Sequence, residues 1–218
     1  MARPYRGNPK QAHRSPRKTK NKSTVRFPKG VGHAVMVNGY SAEWLTKGFD
    51  WVYPKEIVSR TGDTSEGSVA DIYAQDGRFL GVGVCSTGKV AVRRFRTTPG
   101  PIDLGFITDA LQRAYSRRYL TDDVSAWRWV HGENDDLPGI RIDVWDKVVS
   151  LAIDHDSLQF LVPWMVDGIL KIHGAETVWQ NHRPEHDEKR GVASGGQCLS
   201  GNAEERVVEV VEHGLRYL

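Results

Sequence analysis

The sequence predicts an α+β chain: a small β-barrel followed by a compact α+β domain, behind a basic N-terminal tail. Three observations predict it. Residues 1–30 hold ten Lys or Arg and no Asp or Glu. Residues 35–95 read as short β-type runs punctuated by glycine and turn pairs. After Pro99-Gly100-Pro101 the apolar period lengthens to that of a helix, and strand patterns then resume on both sides of a second helix.

The tail, taken as 1–31, carries Pro4, Pro9 and Pro16 and few apolar side chains, so burial cannot offset its ordering entropy and it is expected to be disordered. The remainder holds 20 basic against 27 acidic side chains, which makes a polyanion the expected partner of the tail in particular. Residues 32–98 are expected to form the barrel. Strand 34–37 runs into the turn pair Asn38-Gly39, residues 41–45 make one or two helical turns, and 48–54, 57–58 and 68–74 follow. Asp76-Gly77 turns a hairpin into 78–85, and 89–95 closes the set.

Residues 99–218 are expected to hold a connecting helix and the second domain. Leu104, Ile107, Leu111 and Tyr115 recur at helical spacing over 103–119. Strands are predicted at 126–130, 140–144 and 148–153, a helix from Leu158 to Ile172 with Ser157 as N-cap and Gly174 as stop, and strands at 177–180 and 206–211. No apolar run approaches the roughly 20 residues of a membrane-spanning helix, so a cytoplasmic protein is expected, with no membrane partner. Cys85 and Cys198 show no metal-like spacing and read as buried thiols.

Chemistry-bearing residues are few. Glu133, Asp135 and Asp143 flank the Pro138-Gly139 turn and read as turn-stabilising acids before they read as a metal or acid/base cluster. His182 and His186 are four apart, but Pro184 between them favours a loop over a metal-binding helix. Gly81-Val82-Gly83 is a strand pair without the signature of a phosphate loop. Arg93-Arg94-Phe95-Arg96 interleaves cations with a ring, a pattern that suits an RNA contact and equally a solvated sheet edge. No catalytic, cofactor-binding or metal residue is assigned.

Two stretches carry a family resemblance. Gly48-Phe49-Asp50-Trp51-Val52-Tyr53 resembles the "G-(H/F)-P-W-V-(F/Y)" signature, and Gly132-Glu133-Asn134-Asp135-Asp136-Leu137-Pro138-Gly139-Ile140-Arg141-Ile142-Asp143 the "G-E-x-D-G-L-P-G-L-x-x-D" signature, of S-adenosylmethionine-dependent 23S rRNA cytosine-5 methyltransferases that begin with a PUA domain. Asp50 stands where the family has Pro, Asp136 where it has Gly, and the basic tail is not a family feature. The resemblance implies a PUA-like barrel and a β-β-α-β-β linker domain. Family members continue beyond a strand like 210–217 into a Rossmann-type domain bearing the cofactor turn and catalytic cysteine, whereas this chain stops at Leu218.

The resulting expectation is the RNA-binding, targeting portion of such a methyltransferase, which does not methylate alone and holds no cofactor of its own. Ribosomal RNA is the expected partner, contacted through Lys47, Lys55, Arg93, Arg94 and Arg96, with a missing or separate methyltransferase domain supplying catalysis. The alternative is a free-standing ribosome-associated RNA-binding protein. A metal enzyme or hydrolase using Glu133, Asp135, His182 and His186 is a third, weaker reading.

Overall fold

The computed structural model describes residues 26–118, 123–182, 195–202 and 207–218. Most of the basic tail, positions 183–186 of the histidine-containing loop and the start of the strand predicted at 206–211 therefore lie outside the described residues.

The first sheet contains β1 (Ala34–Val37), β2 (Trp51–Val52), β3 (Ile57–Thr61), β4 (Val69–Ala74), β5 (Phe79–Cys85) and β6 (Val92–Arg96), in the order β2-β6-β5-β4-β1-β3. All neighbours are antiparallel except β1 and β4. The sheet curls into a half-barrel with β2 and β3 as its edges, around a core that includes Val35, Leu45, Val52, Ile72 and Val92. Helix α1 (Gly39–Thr46) follows β1 and buries Ala42 and Leu45 in this core. Asn38, expected in a turn, is the helix N-cap, its Oδ1 accepting from the Ser41 N–H at 2.9 Å.

Helix α2 (Leu104–Ser116) leads into the second sheet, capped by Asp103, which accepts from the Phe106 N–H. The strands are β7 (Ala126–His131), β8 (Ile140–Trp145), β9 (Val148–Ile153), β10 (Thr177–Asn181) and β11 (Gln197–Ser200), in the order β11-β10-β9-β8-β7. The one parallel pair of this sheet, β9 and β10, is joined by helix α3 (Val162–His173). A 3-10 segment, Asp156–Leu161, precedes α3 and is capped by His155 rather than Ser157, while Gly174 at φ +72° ends the helix as predicted. A hairpin of β12 (Val210–Glu212) and β13 (Leu215–Tyr217) bridges back to Val124 ahead of β7.

Alternation sets the faces of the second sheet: Ile140, Ile142 and Val144 are buried beneath the helices, and Arg141 and Trp145 face outward. Gly168 lets α2 and α3 approach closely, since a Cβ there would come within 2.5 Å of Leu111 Cδ1. Trp129, fully buried, donates its indole N–H to the Leu111 carbonyl at 2.9 Å, so its polar edge is satisfied. Val82, Val84 and Phe95 of the half-barrel belong to the same apolar cluster as α2, α3 and the second sheet, beside the half-barrel's own core.

His173, in the last turn of α3, lies against the rings of Tyr115, Trp127 and Trp129, and its buried Nδ1 has no hydrogen-bond partner among the described residues. Burial, with the nearby Lys147 charge, pushes its pKa below the ordinary histidine value, against a weaker opposing pull from Asp146. The unfolded chain therefore takes up this proton more readily than the folded one. The stabilising contribution is complete above about pH 6.5 and is lost as the pH falls through the depressed folded value. In urea titrations, His173→Phe is expected to flatten the fall in midpoint between about pH 7.5 and pH 5; an unchanged slope would contradict this.

Candidate nucleic-acid interface

The most conspicuous surface feature is a set of rings that ought to be buried and is not. In α1, Ala42 and Leu45 face the sheet, while Tyr40, Trp44 and Lys47 follow one another at helical spacing on the outer side. The helix ends at Lys47, and Gly48, at φ +96°, reverses the chain so that Phe49 packs edge-on against Trp44, centroids 4.5 Å apart. Strand alternation then buries Val52 and turns Trp51 and Tyr53 outward, edge to face at 6.5 Å. Tyr40, Phe49, Trp51 and Tyr53 are 61%, 55%, 40% and 39% exposed. Exposed apolar surface concentrated in this way is a candidate binding surface.

These rings line an open hollow of about 980 Å³ that also takes in Lys47, Lys55, Asp50, Glu56 and Glu133. Lys47 lies 5.1 Å from the Trp44 ring centroid and pairs with Glu43 at 2.6 Å, which holds the Glu43 carboxyl below its ordinary pKa. Lys55 makes no ion pair among the described residues and sits in the 3-10 turn Pro54–Glu56. That turn is fixed by buried Glu56, whose Oε2 accepts from the Tyr53 N–H at 3.0 Å. Glu133 arrives from the other sheet, in the turn after β7, and accepts from the Trp51 indole N–H at 2.7 Å. Asp50, at the floor, is pushed toward the protonated form by burial and by the Glu133 and Asp136 charges, against the pull of Arg94.

Of the five predicted RNA contacts, Lys47 and Lys55 meet in this hollow and the three arginines do not. Arg93 and Arg94 are 4% and 5% exposed. Arg94 pairs with Asp50 at 2.8 Å and donates to the Leu45 and Leu80 carbonyls at 2.8 and 3.2 Å. Arg93 pairs with Asp154 at 2.9 Å. Adjacent strand residues point to opposite faces, and β6 is covered on both, so a phosphate reaches neither guanidinium without breaking a buried ion pair. Both guanidiniums are held in ion pairs within the fold. Arg96 donates to the Pro101 carbonyl at 2.7 Å and stacks 5.0 Å from the Phe106 ring, away from the hollow-lining residues.

The remaining candidates do not converge either. Asp135 is 2% exposed and accepts from Arg118 at 2.6 Å and the His131 N–H at 2.7 Å, the turn-stabilising role read from the sequence. Asp143 pairs with Arg128 and Arg141. Among the described residues no three His, Cys, Asp or Glu side chains are placed to hold a metal, and His186 lies outside them. Cys85 is buried, which raises its thiol pKa, and Cys198 is half-buried; both are free. Sequence reasoning overlooked the ring cluster, although Tyr40/Trp44 at helical spacing and Trp51/Tyr53 around a buried Val52 were visible signals.

Residues 35–97 match the model of a PUA-like domain. The chain is similar to the ribosomal RNA large subunit methyltransferase I of Cronobacter sakazakii, 24% identical over 179 residues, and of Pseudoalteromonas atlantica, 25% identical over 182, in each case over 80% of this chain and 45% of the relative. It thus spans about half the length of the curated relatives it matches. Among solved structures it superposes on a candidate SAM-dependent methyltransferase from Streptococcus mutans with a TM-score of 0.70 at 14% identity, covering 84% of this chain and 47% of that one. A candidate methyltransferase complexed with SAH gives a TM-score of 0.69 with the same identity and coverage. The PUA-like half-barrel and the relationship to ribosomal RNA methyltransferases read from the two sequence signatures are borne out.

Arg94→Ala would strand the Asp50 charge inside the fold. The expected loss is about 3–5 kcal/mol in chemical denaturation, and Arg96→Ala, with its exposed partners, should lose far less. Equal midpoints for the two variants would contradict the structural assignment of Arg94.

Proposed function

We propose that this chain is the RNA-binding and positioning portion of a ribosomal RNA methyltransferase system, that it grips RNA through the aromatic hollow, and that it transfers no methyl group by itself. The observation that carries the reading is the concentration of solvent-facing rings beside Lys47 and Lys55 on a PUA-like half-barrel. Every base offers a π face, and stacking a base on an aromatic side chain contributes about 1–3 kcal/mol. The two lysines supply the cations that ribose-phosphate requires on either side of a stacked base. The acidic balance beyond the tail argues against nonspecific polyanion binding over the whole surface, so shape and stacking must give most of the affinity. The tail of ten basic residues adds a salt-sensitive, sequence-independent component. The reading places the protein in the cytoplasm with ribosomal RNA; no helix among the described residues is long and apolar enough to cross a membrane.

The relatives are methyltransferases, and one solved neighbour is complexed with SAH. In the described part of this chain, the one helical crossover between parallel strands of the second sheet, β9–α3–β10, opens with Asp154-His155-Asp156-Ser157. This opening lacks the glycines that give a nucleotide-like donor close backbone approach. The donor is therefore assigned to a catalytic domain outside the residues described, and the half-barrel and second sheet to presenting RNA to it.

Two measurements test this. In fluorescence anisotropy with structured ribosomal RNA fragments, Trp51→Ala and Tyr53→Ala should each weaken binding about 5- to 150-fold with the fold intact by circular dichroism; unaltered affinity would remove the hollow from the interface. Calorimetry with S-adenosylmethionine should give no binding heat, and micromolar binding would overturn the assignment of the donor elsewhere.

A further inference from the structure

We infer that the hollow selects an unpaired guanine, with Glu133 reading its Watson–Crick edge; the inference rests on the hollow being an RNA site. Among the described residues lining the hollow, Glu133 alone comes from outside the half-barrel, delivered across 82 positions of sequence to the Trp51 edge. The Trp51 indole N–H engages Oε1 at 2.7 Å and fixes the carboxylate beside the ring, while Oε2 has no partner among the described residues. Two oxygens carry about four lone-pair sites, so a carboxylate held in this way still accepts two further hydrogen bonds.

What such a group recognises follows from the base edges. Guanine presents two adjacent donors, N1–H and the exocyclic N2 amine, and so meets a carboxylate with two parallel hydrogen bonds. Adenine offers one amine beside the N1 lone pair, cytosine one amine beside the N3 lone pair, and uracil one N–H between two carbonyls. Each of these sets a lone pair against a negative oxygen. The purine bicycle also covers more ring surface than a pyrimidine, and the hollow has room for it at about 980 Å³. An edge contact of this kind requires the base to be free of its pairing partner, so the ligand is a loop, bulge or single-stranded guanine.

The test uses short uridine-rich single-stranded RNAs that differ at one central base: guanine, inosine, adenine or cytosine. Wild-type protein should bind the guanine oligonucleotide more tightly than the adenine and cytosine ones by roughly 5- to 150-fold. Inosine, which lacks only the N2 amine, should fall between. Glu133→Gln, which keeps an acceptor for the Trp51 indole but removes the charge and one acceptor, should abolish the preference for guanine over adenine. Equal binding of all four RNAs by wild type would overturn the guanine inference while leaving RNA binding in place. Failure to bind any of them would overturn this inference and the hollow as an RNA site together. The inosine comparison changes only the ligand, so it decides the matter even if Glu133→Gln is unstable.

Discussion

Two arginines side by side on β6 hold this molecule in its working shape. A guanidinium taken out of water must find a carboxylate, and the two here reach in opposite directions to do so. Arg94 gathers Asp50, the carbonyl of Leu45 near the end of α1, and the carbonyl of Leu80 in β5. Because Asp50 lies between Phe49 and Trp51, that one pair sets the floor of the hollow and the positions of two of its rings. Arg93 reaches Asp154 just after β9, and the Asp154 N–H donates to the Gly139 carbonyl at 2.9 Å. Gly139 closes the turn that begins with Gly132 and carries Glu133, so the second arginine governs where Glu133 meets Trp51.

The hollow is consequently a property of both sheets. The half-barrel supplies the rings and lysines, and the second sheet supplies the carboxylate that fixes Trp51. Val82, Val84 and Phe95 of the half-barrel pack into the apolar cluster of the second sheet, and a polar contact adds to this where Glu66 Oε1 of the half-barrel lies 2.9 Å from His155 Nδ1.

Periodicity and caps made most elements legible. Helix α2 follows from Leu104, Ile107 and Leu111 with Asp103 before them, and α3 ends at Gly174, where only a left-handed residue fits. Strand β11 escaped notice because Gln197-Cys198-Leu199-Ser200 lacks both alternation and β-branched residues; its pairing with β10 is a tertiary effect. The site was harder. A local run of cations reads the same whether it faces water or a carboxylate 44 or 61 positions away, and only the fold distinguishes the two. The rings were overlooked for the converse reason, since an aromatic in a β-type run is normally core, and the exposure of Trp51 follows from its place on an edge strand of the half-barrel.

The central claim is that this ring-lined hollow is where RNA touches the protein, and photocrosslinking followed by mass spectrometry of the crosslinked peptides tests it most directly. Ultraviolet irradiation of the full chain with ribosomal RNA should place nucleotide adducts on Trp44, Phe49, Trp51 or Tyr53. Adducts confined to other surfaces, with residues 40–55 unmodified, would contradict it.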